Sequence, residues 1–211
     1  MKIKELFHLK EIEPNIFLLE FESRSDLAYT FLRPQEYYEN PHFRDTIFTH
    51  KQFEKWYKKF KNRKRMTYHT DWSGFNIPSY ILDPFFSGEF KGITTKERAL
   101  LDMFKDKKQK FYVIGCQAGA THVLNHEVTH ARFYLNDKYR KEVLRTINKY
   151  DVKELYQILS KNMYDYKTWD DEINAYLVNR GSSMFAKRLK DPKSFDELMI
   201  KLREISKKYF N

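Results

Sequence analysis

The chain has 211 residues, of which 41% are hydrophobic, 17% aromatic and 32% charged, with six Gly, six Pro and one Cys. That composition excludes collagenous, low-complexity and disordered classes, and the length suffices to bury a core without disulfides or oligomerisation. Cys116 has no partner for an internal disulfide, and 39 Lys and Arg against 29 Asp and Glu give a formal charge of +10, which favours polyanions at low ionic strength.

No run approaches ~18 consecutive apolar residues, and the opening MKIKELFHLKEIEP mixes apolar with charged residues where a secretory signal carries an apolar stretch. The expectation is a protein with no membrane contact in a reduced, cytoplasmic setting. Residues 3–12 and 16–21 read as two strands of a hairpin around the turn triplet Glu13-Pro14-Asn15. From Leu27 past Pro34 and Pro41 runs an aromatic, proline-punctuated segment. Thr49 then opens a helix with Phe53, Trp56, Tyr57 and Phe60 at i, i+3, i+4 and i+7, a stripe most simply read as core. The basic run from Lys58 to Arg65 reads as its solvated end. Asp71 to Ser79 mixes turn residues with large apolar ones and reads as an ordered loop pinned by its own side chains.

Thr94 and Glu97 have capping-box spacing, which predicts a helix to about Lys105. Phe111-Tyr112-Val113-Ile114 is a strand closed by Gly115, and a long amphipathic helix follows from Ala118 to Leu135. Beyond Asn136 the pattern is helical over 138–150, 152–159, 169–178 and 194–209, with Gly181-Ser182-Ser183 and Asp191-Pro192 between the last two. The fold class expected is therefore α+β, a small N-terminal sheet followed by helices. No linker divides it, so residues 1–135 form the α+β part with the motif helix and residues 136–211 a helical subdomain of one continuous domain.

Within the long helix stands His126-Glu127-Val128-Thr129-His130, an HExxH motif. Four residues of helix separate the histidines by about 6 Å on one face, so both imidazoles reach one ion at ~2.0–2.1 Å. Glu127 points to the side of that pair, where a carboxylate can act as general base toward a metal-bound water without ligating. A zinc site of this kind takes a third protein ligand and leaves a fourth position open. Glu172, in Trp169-Asp170-Asp171-Glu172 at the head of a later helix, is the candidate. Asp170 or Asp171 could replace it, or could accept a hydrogen bond from a ligand imidazole and fix its tautomer. The acidic trio could also be a simple helix cap. His122 is about 12 Å along the axis from His130, too far to join the same ion.

The strand at 111–114, the HExxH helix and the helix at Glu172 together resemble the zincin metallopeptidases, in particular their gluzincin branch, and the layout is similar to the catalytic domain of the anthrax lethal factor family. The resemblance covers about residues 109–180 and implies a zincin-like fold, a Zn2+ cofactor on His126, His130 and Glu172, and a peptide or protein substrate. It implies a substrate edge at the strand 111–114 or a neighbouring strand. It also implies a catalytic tyrosine shortly before the third ligand, which here is Tyr166, with Tyr164 as the fallback. Two departures stand out. Phe133 and Asn136 occupy the Gly and His positions of the metzincin extension, and Tyr176 stands four residues after Glu172 where several gluzincins carry an acid.

The leading expectation is a zinc metallopeptidase with Glu127 as general base and Tyr166 aiding oxyanion stabilisation. The alternative is a non-enzymatic, metal-containing binding module whose basic surface engages a polyanion or protein. The first hundred residues match no family pattern.

Overall fold

The computed structural model describes residues 6–72, 74–179, 185 and 188–210. The chain folds as two compact units, Met1–Leu124 and Asn125–Asn211. The first is α+β and the second helical, as the sequence pattern predicts.

In the first unit, β1 (His8–Glu13) and β2 (Ile16–Phe21) form the expected antiparallel hairpin, with Asn15 in the left-handed region at the turn. The residues ahead of position 6 lie outside the described ones. The proline-punctuated segment is a helix, α1 (Arg24–Glu39), with Pro34 inside it. Ser23 caps it by accepting from the Asp26 backbone N–H at 3.2 Å. Pro34 cannot donate to the ladder and argues locally against helix, yet burial of Leu27, Phe31 and Leu32 in the core overrides it. α2 (His50–Phe60) starts at Thr49 with a capping box to Gln52. Phe53 and Tyr57 are buried as expected of a core stripe, whereas Phe60 is 46% exposed.

A single turn, α3 (Tyr68–Asp71), leads into the segment read as a loop. That segment contains a third strand, β3 (Gly74–Pro78), which pairs antiparallel with β4 (Tyr112–Gln117). Asn76 and Pro78 break its apolar pattern, and the Asn76 side chain is satisfied inside by the Tyr112 hydroxyl. A turn at α4 (Asp83–Phe86) precedes α5 (Thr95–Phe104), which has the predicted Thr94–Glu97 capping box.

The sheet order is β1-β2-β4-β3, with β2 and β4 parallel. β4 is therefore an interior strand and has no free edge for a substrate backbone, so the strand expected at 111–114 is not itself the substrate edge. Of its neighbours only β3 lies at an edge, and there the Asn76 N–H already donates to Gln35 Oε1 of α1 at 3.0 Å. β4 also runs through Gly115 instead of closing there. A Cβ at Gly115 would collide with the Phe31 ring and come within 2.9 Å of Leu27 Cδ1, so the glycine is what lets α1 lie directly on the sheet.

In the second unit the core gathers Tyr139, Val143, Ile147, Leu155, Leu159, Ile173, Leu177, Leu198 and Leu202. These come from α7 (Asp137–Ile147), α8 (Lys153–Lys161), α9 (Trp169–Asn179) and α10 (Asp196–Phe210), close to the predicted spans. The expected Gly181-Ser182-Ser183 break lies outside the described residues. α6 (Thr121–Leu135) begins before the division between units, and from Asn125 onward, with the whole HExxH motif, it belongs to the second. Among the described residues no helix is long and apolar enough to cross a membrane.

Candidate metal centre

α6 ends where Asn136 N–H donates to Arg132 O at 2.9 Å, and the Asn136 side chain then caps α7 by accepting from the Lys138 and Tyr139 N–H groups. The residue at the metzincin histidine position thus punctuates two helices. A turn at Tyr166–Thr168, capped by Asp165, sets the start of α9, whose first turn carries Asp170, Asp171 and Glu172. Asn179 Nδ2 at the far end of α9 donates to Thr129 Oγ1 of α6 at 2.7 Å, fixing one helix against the other.

This packing brings together His126, His130 and Glu172, all buried, with one ligand atom from each within 4.8 Å of the others. The two Nε2 atoms stand 3.1 Å apart. Glu172 Oε2 lies 3.9 Å from His126 Nε2, and Glu172 Oε1 lies 3.7 Å from His130 Nε2. An ion bound tetrahedrally at zinc distances sets its ligand atoms roughly 3.4 Å apart, which these spacings bracket. The donors, two neutral-capable imidazoles and a carboxylate, are those zinc takes. Among the described residues no fourth His, Cys, Asp or Glu joins the group.

The acidic trio divides its work. Asp170 accepts from the Tyr156 hydroxyl at 2.6 Å and is not among the described residues that converge on the histidines. Asp171 Oδ2 lies 3.0 Å from His130 Nδ1, on the ring side away from the cluster, so it holds the tautomer that frees Nε2 for a metal. Glu172 is the ligand candidate, and at 2% exposure it is no solvated helix cap. Burial opposes charge on His130, but the carboxylates of Asp171, Glu172 and Glu127 together raise its pKa well above the usual histidine value. Asp171 itself is raised, chiefly by burial. Two buried imidazoles and a buried carboxylate form a donor set suited to a divalent cation.

Glu127 is buried and close enough to act on His130 electrostatically. Tyr166, on the turn before α9, is 66% exposed. Tyr164 has its hydroxyl 3.1 Å from that of Tyr176, and the Tyr176 ring lies 4.5 Å from the His126 imidazole. Tyr176 thus sets an aromatic ring against the His126 imidazole. The sequence shows Tyr176 four residues after Glu172, and the packing of α9 on α6 adds its contact with the His126 ring. The side chain of His122 lies outside the described ones. No family model matches this chain, and neither a curated protein nor a solved structure resembles it significantly.

Proposed function

We propose that the protein is a zinc-dependent peptidase of the gluzincin kind. The observation that carries this reading is the convergence of the buried His126, His130 and Glu172, a set of three protein ligands among the described residues. Structural zinc sites close all four positions with protein atoms, whereas catalytic ones hold three. For that reason the donor set favours the hydrolase over a binding module with a purely structural metal.

His126, His130 and Glu172 hold the ion and Asp171 orients His130. A zinc ion there supplies Lewis acidity and an activated water near neutral pH. Glu127, the one carboxylate of the motif not used as a ligand, takes the proton of the attacking water and passes it to the departing amine. The developing oxyanion falls to Tyr166, whose side chain is exposed, as the resemblance implies. The substrate is a peptide or protein.

Elemental analysis of the untagged protein tests the site. About one zinc per chain is expected in the wild type, with loss in His126→Ala and in Glu172→Ala; absence of metal after reconstitution overturns the reading. Glu127→Gln should keep its zinc and lose roughly 10²-fold or more of any peptide hydrolysis. Undiminished turnover removes Glu127 from the role.

A further inference from the structure

On α2, Phe53 and Tyr57 are buried in the core and Trp56 packs against it, while Phe60, one turn beyond Trp56, stands exposed and is not accounted for by the core. Trp56 is half-buried and stacks on Phe60 at 5.0 Å with an interplanar angle of 3°. His42 stacks on the other face of the same column, 5.4 Å from Trp56 at 9°. Both end members, His42 and Phe60, are exposed.

Directly after Phe60 the chain folds back. Asn62 adopts a left-handed conformation at φ 49°, and Arg63 N–H donates to Lys58 O at 2.9 Å, the closure that ends many helices. The turn keeps the basic run beside the helix end. Lys58 is occupied by Glu54 at 2.6 Å, and Lys61 and Arg63 face Asp71. Lys59, Lys64 and Arg65 are exposed, and none of the ion pairs among the described residues includes them. Three cations exceed what a helix C-terminus, with about half a negative charge, calls for.

An exposed aromatic ring at a helix end that also carries exposed cations matches the chemistry of an unpaired nucleotide strand, whose bases stack on rings while its phosphates meet Lys and Arg. A duplex offers the phosphates but keeps its bases stacked inside. An acidic protein would use the cations and leave the column idle. We propose that the α2 surface binds single-stranded nucleic acid, with a base on Phe60 and the backbone on Lys59, Lys64 and Arg65. This inference is independent of the metal centre.

The test is fluorescence anisotropy of a labelled short oligothymidylate with the full chain, titrated over a range of salt, beside a duplex of equal length and heparin. Saturable binding of the oligothymidylate in preference to the duplex is expected. Phe60→Ala should weaken it about tenfold, and Phe60→Tyr should restore it, while heparin binding stays unchanged in both. The triple variant Lys59→Ala, Lys64→Ala, Arg65→Ala should lower the slope of log affinity against log salt by about 2. Absence of oligothymidylate binding overturns the proposal. So does equal binding of all three polyanions with no effect of Phe60→Ala, which would leave charge alone at work.

Discussion

A histidine that ligates through Nε2 must keep its proton on Nδ1, and for His130 that is enforced by Asp171 at 3.0 Å. Asp171→Asn can still accept through its amide oxygen but loses the charge that makes the imidazole a strong donor. Zinc affinity, measured by competition with a chromogenic chelator, should fall roughly 10- to 100-fold with the fold intact by circular dichroism. Unchanged affinity would make Asp171 a bystander. At this scale much of the site was legible. The i, i+4 spacing places His126 and His130 on one face whatever the rest of the chain does. Glu172 is the third-ligand candidate the sequence names, and it is the acid that converges with the histidines. Asp170 and Asp171 stayed open as replacements because successive helix positions turn by about 100° and only the docking of α9 on α6 decides which one faces inward. The docking turns Glu172 and Asp171 to the histidines and Asp170 to Tyr156. The same holds for Tyr176, whose place against His126 depends on that packing.

Among elements, the readable ones carry their own local signals: the capping boxes of α2 and α5, the Asn136 punctuation, and the apolar rhythm of α7, α8 and α10. α1 was hidden by Pro34, and β3 by Asn76 and Pro78, because in both cases tertiary burial outweighs a local signal of opposite sense. Gly115 is the instructive error, since a residue that reads as a strand terminator is instead the gap into which α1 settles. Gly115→Ala forces the Phe31 ring and Leu27 apart from the sheet and should cost about 2 kcal/mol as an overpacked core. Urea unfolding of the variant checks this: a lowered midpoint with an unchanged slope is expected, and an unchanged midpoint would show that α1 has room to shift.

For the stability of the first unit as a whole, two buried carboxylates act in opposite directions. Burial opposes charge on Glu97, but His50, both forks of Arg33 (2.6 and 2.7 Å) and the Thr94 N–H outweigh it and hold its pKa at about 2. A depressed carboxylate contributes stability above its unfolded pKa near 4.5, and that contribution of about 3 kcal/mol is lost as pH falls toward 2. Glu36 is the reverse. Burial pushes it up to about 7 against the hydrogen bonds from Tyr68 and Asn40. It stabilises most below pH 4.5, and its contribution declines by about 3 kcal/mol as pH rises to 7. Melting temperature against pH should therefore peak near pH 4 to 5 from these two groups, and Glu36→Gln should flatten the decline between pH 4.5 and 7. A decline that persists in the variant would assign it to other groups.

The parallel pairing of β2 with β4 joins Ile16 to Tyr112 across roughly a hundred residues of chain. During synthesis the β1–β2 hairpin emerges early, and the open edge of β2 stays unpaired until β4 leaves the ribosome. Closing so long a loop before any contact rewards it is slow, so refolding from denaturant should be governed by this one late strand insertion. The nascent chain is in this sense most vulnerable to aggregation over the interval between its second strand and its fourth.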